Sequence, residues 1–155
     1  MKEKIVITGG AGFIGSKLGY MLAKRGYEVL LLDDLSYGHE DNLTINGYTF
    51  GTFKKIDIRS PELKNYFLGA DCIFHFAAIG TLPVCQKEPV NSIDVNVTGT
   101  VNVLEASRLA NVRRIIFASS GAVYENNTKF PCVEDDPINP NLIYSMSKSF
   151  CEKLC

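Results

Sequence analysis

Three glycines at a fixed step, set directly after a short apolar run, constrain this chain more than any other feature. Lys4-Ile5-Val6-Ile7-Thr8 reads as a buried strand, and Gly9, Gly12 and Gly15 follow as G-x-x-G-x-x-G, with a helical pattern opening at Phe13. In a strand–turn–helix unit the first glycine lets the chain turn sharply. The second brings bare backbone against a pyrophosphate, and the third permits close helix–strand packing. The first-turn N–H groups of Phe13 and Ile14 would face the phosphates. Glycine spacing alone also suits a purely structural turn, so its context matters. The next apolar run, Val29-Leu30-Leu31-Leu32, ends in Asp33-Asp34, which sets a carboxylate where adenosine ribose hydroxyls lie. That carboxylate would repel a 2′-phosphate, and no arginine follows it at once, so NAD is favoured over NADP.

The remaining pattern alternates strand and helix. A helix over 13–25 is expected to bury Ile14, Leu18, Met21 and Leu22, with Gly26 ending it. Residues 36–51 read as a loop with at most a short ordered piece. A third strand covers 53–56. Pro61 opens a brief helix carrying Leu63, Tyr66 and Phe67, and a fourth strand covers 72–76. A long helix over 90–110 is expected to bury the stripe Val90, Ile93, Val97, Val101 and Leu104. A fifth strand at 115–118, a polar loop over 125–141 and a helix from Leu142 onward complete the chain. Strands that are apolar on both faces and separated by helices imply a Rossmann-type α/β fold. Its parallel sheet takes the order 3-2-1-4-5, with helices on both faces. Such a sheet normally continues past its fifth strand.

At 155 residues and 46% apolar, residues 1–155 suit one compact domain and are too few for two. A net charge of −1 gives no reason to invoke nucleic acid or an anionic membrane. No apolar stretch nears the ~20 residues of a membrane span, and residues 1–4 lack the marks of a signal peptide. Five cysteines are scattered without a Cys-x-x-Cys pair, which argues against a metal site or disulfide framework and for a reducing cytoplasm. Cys151 and Cys155, at i and i+4, read as core or interface fillers.

The chemistry is expected near the end of the chain. Tyr144 and Lys148 are also i and i+4, so they share a helix face, and a cation beside a phenol favours the phenolate. Such a tyrosine can take a proton from a hydroxyl while hydride leaves the carbon for nicotinamide. Lys148 can also hold the nicotinamide ribose. Ser120 ends the fifth strand, at the sheet edge where ligands sit, and can hydrogen-bond the reacting oxygen. Tyr-x-x-x-Lys is common by chance; its weight here comes from following a dinucleotide fingerprint. Asp57-Ile58 fits either an adenine contact or an ordinary strand end. Phe76-Ala77-Ala78 fits either close passage of a cofactor or helix packing. His75 reads as a satisfied core residue and His39 as a solvated one. Ser119 reads as a backbone contact, with no His or acidic partner placed to activate it.

Taken together, these residues resemble the extended short-chain dehydrogenase/reductase family, and within it the NAD-dependent sugar-nucleotide epimerases and dehydratases. The matching segments are Thr8-Gly9-Gly10-Ala11-Gly12-Phe13-Ile14-Gly15, Leu32-Asp33-Asp34-Leu35, Asp57-Ile58, His75-Phe76-Ala77-Ala78, Asn96-Val97-Thr98-Gly99-Thr100, Ser119-Ser120-Gly121-Ala122-Val123-Tyr124 and Tyr144-Ser145-Met146-Ser147-Lys148. The resemblance implies that Gly9, Gly12, Phe13, Ile14, Gly15, Asp33, Asp34, Asp57, Ile58, Phe76, Ala77 and Ala78 bind NAD, together with Asn96, Tyr144 and Lys148. It implies that Ser120, Tyr144 and Lys148 are catalytic and that Asn96 stabilises the active-site helix.

Dehydratases of this family carry Thr-Asp-Glu where this chain has Ser120-Gly121-Ala122, which favours an epimerase of the UDP-glucose 4-epimerase kind. The implied partners are a nucleotide sugar, a UDP-sugar by this kinship, and a second copy meeting it through the 90–110 and 142–155 helices. Glu125 departs from the glycine that usually follows Val-Tyr. Family members run to roughly twice this length, so the chain resembles their amino-terminal half. The alternatives are an NAD-binding or interaction module without turnover, a dehydratase, and an NAD-dependent reductase of the same family.

Overall fold

A computed structural model describes residues 2–155. In chain order it forms β1 (Lys4–Thr8), α1 (Phe13–Lys24), β2 (Glu28–Asp33), a 3-10 turn (Glu40–Leu43) and the strands β3 (Thr44–Ile45), β4 (Tyr48–Thr49) and β5 (Thr52–Lys55). There follow α2 (Leu63–Phe67), β6 (Cys72–His75), α3 (Leu82–Lys87), α4 (Pro89–Ile93), a π-helical turn (Asp94–Thr98) and α5 (Gly99–Leu109). The last elements are β7 (Arg114–Phe117), a 3-10 turn (Gly121–Tyr124) and α6 (Ile143–Glu152).

The main sheet runs β5-β2-β1-β6-β7, all parallel, which is the expected order 3-2-1-4-5. Alternation along each strand divides the core in two. Val6, Leu32 and Ile73 face Leu63 and Phe67 of α2 and Val103 and Ala106 of α5. Ile5, Ile7, Val29 and Leu31 form the other cluster, joined by Leu18 and Leu22 of α1 and by Phe50. The sheet is thus buried on both sides at β1 and β2, which explains why these strands read as unbroken apolar runs, whereas β5 and β7 at its edges are partly exposed.

Several boundaries and faces differ from expectation. The third strand of the sheet starts one residue earlier, because Thr52 pairs with Leu30. The 36–51 segment carries a two-stranded hairpin, β3–β4, whose Asn46-Gly47 tip has positive φ at both residues. Helix α3 was not anticipated, although Pro83 stands in its first turn.

The helix faces differ most. In α1 the buried residues are Gly15, Ser16 and Gly19, while Ile14 and Met21 lie exposed. In α4, the π-turn and α5 the buried residues include Ser92, Asn96, Thr100, Val103, Ala106 and Ser107, while Val90, Ile93 and Val101 face outward. The reason is close approach. A Cβ on Gly19 would lie 2.7 Å from Leu31 Cδ2. The buried hydroxyls of Thr100 and Ser107 donate to the carbonyls of Asn96 and Val103, at 2.6 and 2.7 Å. Small residues whose polar groups are satisfied within the helix can therefore lie inside. Helix α6 ends at Glu152, so Cys151 is buried on it whereas Cys155 lies beyond it and exposed.

Candidate functional site

The carboxyl ends of β1, β2, β5 and β6 border a cleft of about 410 Å³. Its walls include Gly9, Gly12 and Phe13 after β1, Asp33 and Asp34 at the end of β2, Asp57 and Ile58 after β5, and Phe76, Ala77 and Ala78 after β6. Gly9 has φ +69°, and a Cβ there would sit 2.7 Å from the Ala77 nitrogen. Gly12, the N-cap of α1, offers no side-chain cap, so the first N–H groups of the helix remain available at the rim. Bare backbone, open N–H donors and a helix N-terminus suit a pyrophosphate.

Gly15 has a different task from the expected strand packing. A Cβ there would lie 2.2 Å from the Gly9 carbonyl oxygen, so this glycine lets the turn close on itself. Gly10 and Gly19 are the residues that approach Leu31 of β2. Ile14 and Gly15 are not among the residues of the cleft wall.

Asp33 is buried at the cleft floor, with Oδ2 accepting the Ala11 N–H at 3.0 Å and Oδ1 the Leu35 N–H at 2.8 Å. Burial pushes its carboxyl up, and those two N–H groups oppose the shift. Each oxygen keeps a lone pair for a ribose hydroxyl. The Ala11 carbonyl accepts the His39 N–H at 3.1 Å and the Asn42 side-chain amide at 2.8 Å, which fastens the following loop to the glycine turn. The His39 side chain is exposed.

Ser120, Tyr144, Lys148 and Asn96 gather at the β7 side of the sheet and do not line the 410 Å³ cleft. Lys148 is 4% exposed, and its Nζ donates to the Ala118 carbonyl at 2.9 Å. The ammonium lies 4.7 Å from the Phe117 ring centre and 6.0 Å from that of Tyr144. Burial brings its pKa down to about 8. Ser120 Oγ accepts the Ala122 N–H at 3.2 Å and so caps the 3-10 turn. Asn96 clasps the loop after β6: Oδ1 accepts the Ile79 N–H at 2.8 Å, and Nδ2 donates to the Ile79 carbonyl at 3.1 Å and to Ser147 of α6 at 3.2 Å.

His75 is a satisfied core residue, as expected. Its Nδ1 meets Thr8 Oγ1 at 2.7 Å and its Nε2 meets Thr100 Oγ1 at 3.0 Å. Burial and the nearby Lys148 charge bring it down to about 3, so the ring is neutral. Ser119 corrects the expectation, because its hydroxyl donates to Glu152, an acidic partner that the last turn of α6 brings across the end of β7.

Residues 5–155 match the model of the NAD dependent epimerase/dehydratase family. The chain belongs to that family. It is 37% identical over 154 residues to the UDP-glucose 4-epimerase of Lactobacillus helveticus, an alignment covering 97% of this chain and 46% of the relative. Among solved structures it matches the UDP-glucose 4-epimerase of Brucella ovis in complex with NAD, with TM-score 0.91 and 31% identity, over 98% of this chain and 46% of that one. It also matches the UDP-N-acetylglucosamine 4-epimerase of Methanobrevibacter ruminantium M1 in complex with UDP-N-acetylmuramic acid, with TM-score 0.90 and 32% identity, over 99% and 50% respectively. This epimerase-family chain therefore spans about half the length of those relatives.

Some residues at the site carry no motif signal. Tyr37, Gly38, Arg59, Ile79, Asn91 and Val95 also line the cleft. Position relative to a strand's carboxyl end was the one available clue for Tyr37 and Arg59. Glu125, the departure from the family's glycine, accepts the N–H groups of Asn141 and Leu142 at 2.5 and 2.9 Å, just before α6. Gln86 of α3 accepts the Ile143 N–H at 2.8 Å. Two side chains from elsewhere in the fold thus hold the start of the helix that carries Tyr144. Among the described residues no group of three or more His, Cys, Asp or Glu is placed to hold a metal ion, and no helix is long and apolar enough to cross a membrane.

Proposed function

We propose that this chain serves an NAD-dependent epimerase acting at C4 of a nucleotide sugar, a UDP-sugar by its kinship. The observation that carries the proposal is the buried ammonium of Lys148 beside Tyr144, on the same sheet edge as the glycine-turn cleft. Bound NAD would accept hydride from C4 and return it to the opposite face. The chain's own residues do the rest. Gly9, Gly12 and the first N–H groups of α1 hold the pyrophosphate, and Asp33 with Asp34 receives the ribose hydroxyls and repels a 2′-phosphate.

The Tyr144 oxygen takes and returns the proton of the sugar 4-hydroxyl, and Ser120 orients that oxygen. Lys148 sets positive charge beside the transfer and binds the nicotinamide ribose. Asn96 keeps α6 seated against the Ile79 loop. With Ser120-Gly121-Ala122 after β7, no carboxylate stands at the turn to support loss of water, which favours epimerase over dehydratase.

A second reading concerns the 155-residue chain tested alone: it binds NAD without turnover. It is favoured because Ser120, Tyr144 and Lys148 lie outside the walls of the cleft, where nothing encloses and orients a sugar. Calorimetry should give tighter binding of NAD than of NADP; the reverse order would remove the role given to Asp33. UDP-glucose turnover by this chain, abolished in Tyr144→Phe, would overturn the second reading and support the first. The five free cysteines support a reducing, cytoplasmic setting.

A further inference from the structure

Tyr144, Lys148 and Glu152 follow one another at intervals of four on α6, so they share one helix face. Lys148 thus has two neighbours to choose from, the phenol one turn back and the carboxylate one turn ahead. Lysine before glutamate is the weaker order for an ion pair at this spacing, but partial burial strengthens any such pair over its value in water. Among the described residues, however, no carboxylate forms an ion pair with the Lys148 ammonium. The residues that follow β7 explain why. Lys148 Nζ turns to the Ala118 carbonyl, 2.9 Å away. The Glu152 carboxylate is taken by the next residue along, because Ser119 Oγ donates to Glu152 Oε1. Two neighbouring residues at one strand end therefore hold apart two charges that the helix brings together.

The other groups packed around α6 do not compensate the ammonium. Cys85 of α3 gives its thiol to the Ile79 carbonyl, Asp94 of the π-turn is paired with Arg59, and Tyr124 of the second 3-10 turn donates to the Glu134 carbonyl. Lys87 of α3 is exposed, and α4 carries no charged residue. Cys151, on α6 itself, is the neighbour that opposes the effect of burial on Lys148. The uncompensated charge is felt at the His75 ring of β6, which it helps to hold neutral. We infer that Ser119 is a positioning residue: by holding the Glu152 carboxylate, it keeps the Lys148 charge unpaired beside Tyr144. A lysine paired with Glu152 would offer the phenol a neutralised neighbour, and would spend on the carboxylate an N–H needed for a ribose hydroxyl. The inference deepens the epimerase reading and rests on it.

The Lys148 amine can be titrated by NMR in the full 155-residue chain carrying isotope-labelled lysine, its signal assigned by its loss in Lys148→Met. The unaltered chain should titrate at about 8. In Ser119→Ala the freed carboxylate should turn to the ammonium and raise that midpoint by about one pH unit, a tenfold tighter hold on the proton. Glu152→Gln alone should leave the midpoint in place, because the carboxylate is already diverted. Added to Ser119→Ala, it should bring the raised midpoint back. Ser119→Thr keeps the hydroxyl and should match the unaltered chain. An unmoved midpoint in Ser119→Ala overturns the inference. So does an equal rise in Ser119→Ala and the double variant, which would mean water admitted at a loosened strand end. A fall in Glu152→Gln alone also overturns it, since the two charges would then already interact. If Ser119→Ala fails to fold, Ser119→Cys, whose thiol is a weak donor, is read in the same way. These failures leave the epimerase reading standing, whereas an unaltered chain titrating near 10.5 removes the buried ammonium on which both rest.

Discussion

Lys148 is both buried and cationic, and the conflict is measurable. At 4% exposure its ammonium has the Ala118 carbonyl and two aromatic rings in place of water, and its pKa falls from 10.5 to about 8. Below about 8 both the folded and unfolded chains carry the proton, and folding bears the full penalty of burying it. Between about 8 and 10.5 the unfolded chain still binds a proton that the folded chain has released, so stability rises with pH. The slope is at most about 1.4 kcal/mol per pH unit. We expect the unaltered chain to gain stability relative to Lys148→Met from pH 7.5 to 10 in urea denaturation. A difference flat across that window would mean that the amine is either solvated or neutral throughout. The i, i+4 spacing put Lys148 beside Tyr144, but no sequence pattern foretold its hydrogen bond to Ala118, which depends on where β7 ends.

At the scale of elements, α6 is held by its neighbours more than by its own sequence. Leu142, at its N-cap, provides no side-chain cap, and Glu125 and Gln86 supply the acceptors instead. Burial pushes Glu125 up, yet the Asn141 and Leu142 N–H groups and the Ser145 hydroxyl together hold it below the ordinary glutamate range. Its share of stability is therefore present at neutral pH and lost as pH falls through that lowered value. Glu125→Gly should cost about 1 kcal/mol, the usual loss on removing a helix cap, and speed hydrogen exchange at the Leu142 amide. Glu125→Gln retains an oxygen that can accept both bonds and should keep most of the stability. If both variants melt alike, the carboxylate is not the cap. The central strands were legible because both sheet faces are buried there, so apolar runs marked them directly. The helix faces were not. Hydrophobic periodicity pointed to Ile14 and Met21 in α1 and to Val90, Ile93 and Val101 beyond it, whereas the inner faces hold Gly15, Gly19, Asn96 and Thr100. Where helix and sheet approach closely, residue size decides the buried face, and a scale of apolarity cannot register it.

At the scale of the molecule, the sheet order arranges the chemistry along one edge: Asp57 after β5, Asp33 at the end of β2, the glycine turn after β1, Ala77 after β6 and Ser120 after β7. That order was legible because a glycine turn fixes the first crossover and right-handed crossovers fix the rest. The misread stripe then acquires a meaning on this scale. Helices α4 and α6 pack together, and each carries outward apolar residues, Val90 and Ile93 on the first and Met146 and Phe150 on the second, with Val101 exposed on α5. Exposed apolar side chains that form one surface mark an association site more often than scattered ones do. The family resemblance names the same two helices as a pairing surface, so the occupant we expect is a second copy of this chain. A two-fold contact uses the same patch on both partners, so one charge introduced there is doubled and faces its own copy. Phe150→Glu and Val101→Glu should each shift the chain toward monomer in sedimentation while leaving NAD affinity unchanged, because neither residue lines the cofactor cleft. A chain that is already monomeric at high concentration would leave the exposed stripe without a partner of this kind, and equal loss of NAD binding in either variant would trace its effect to misfolding.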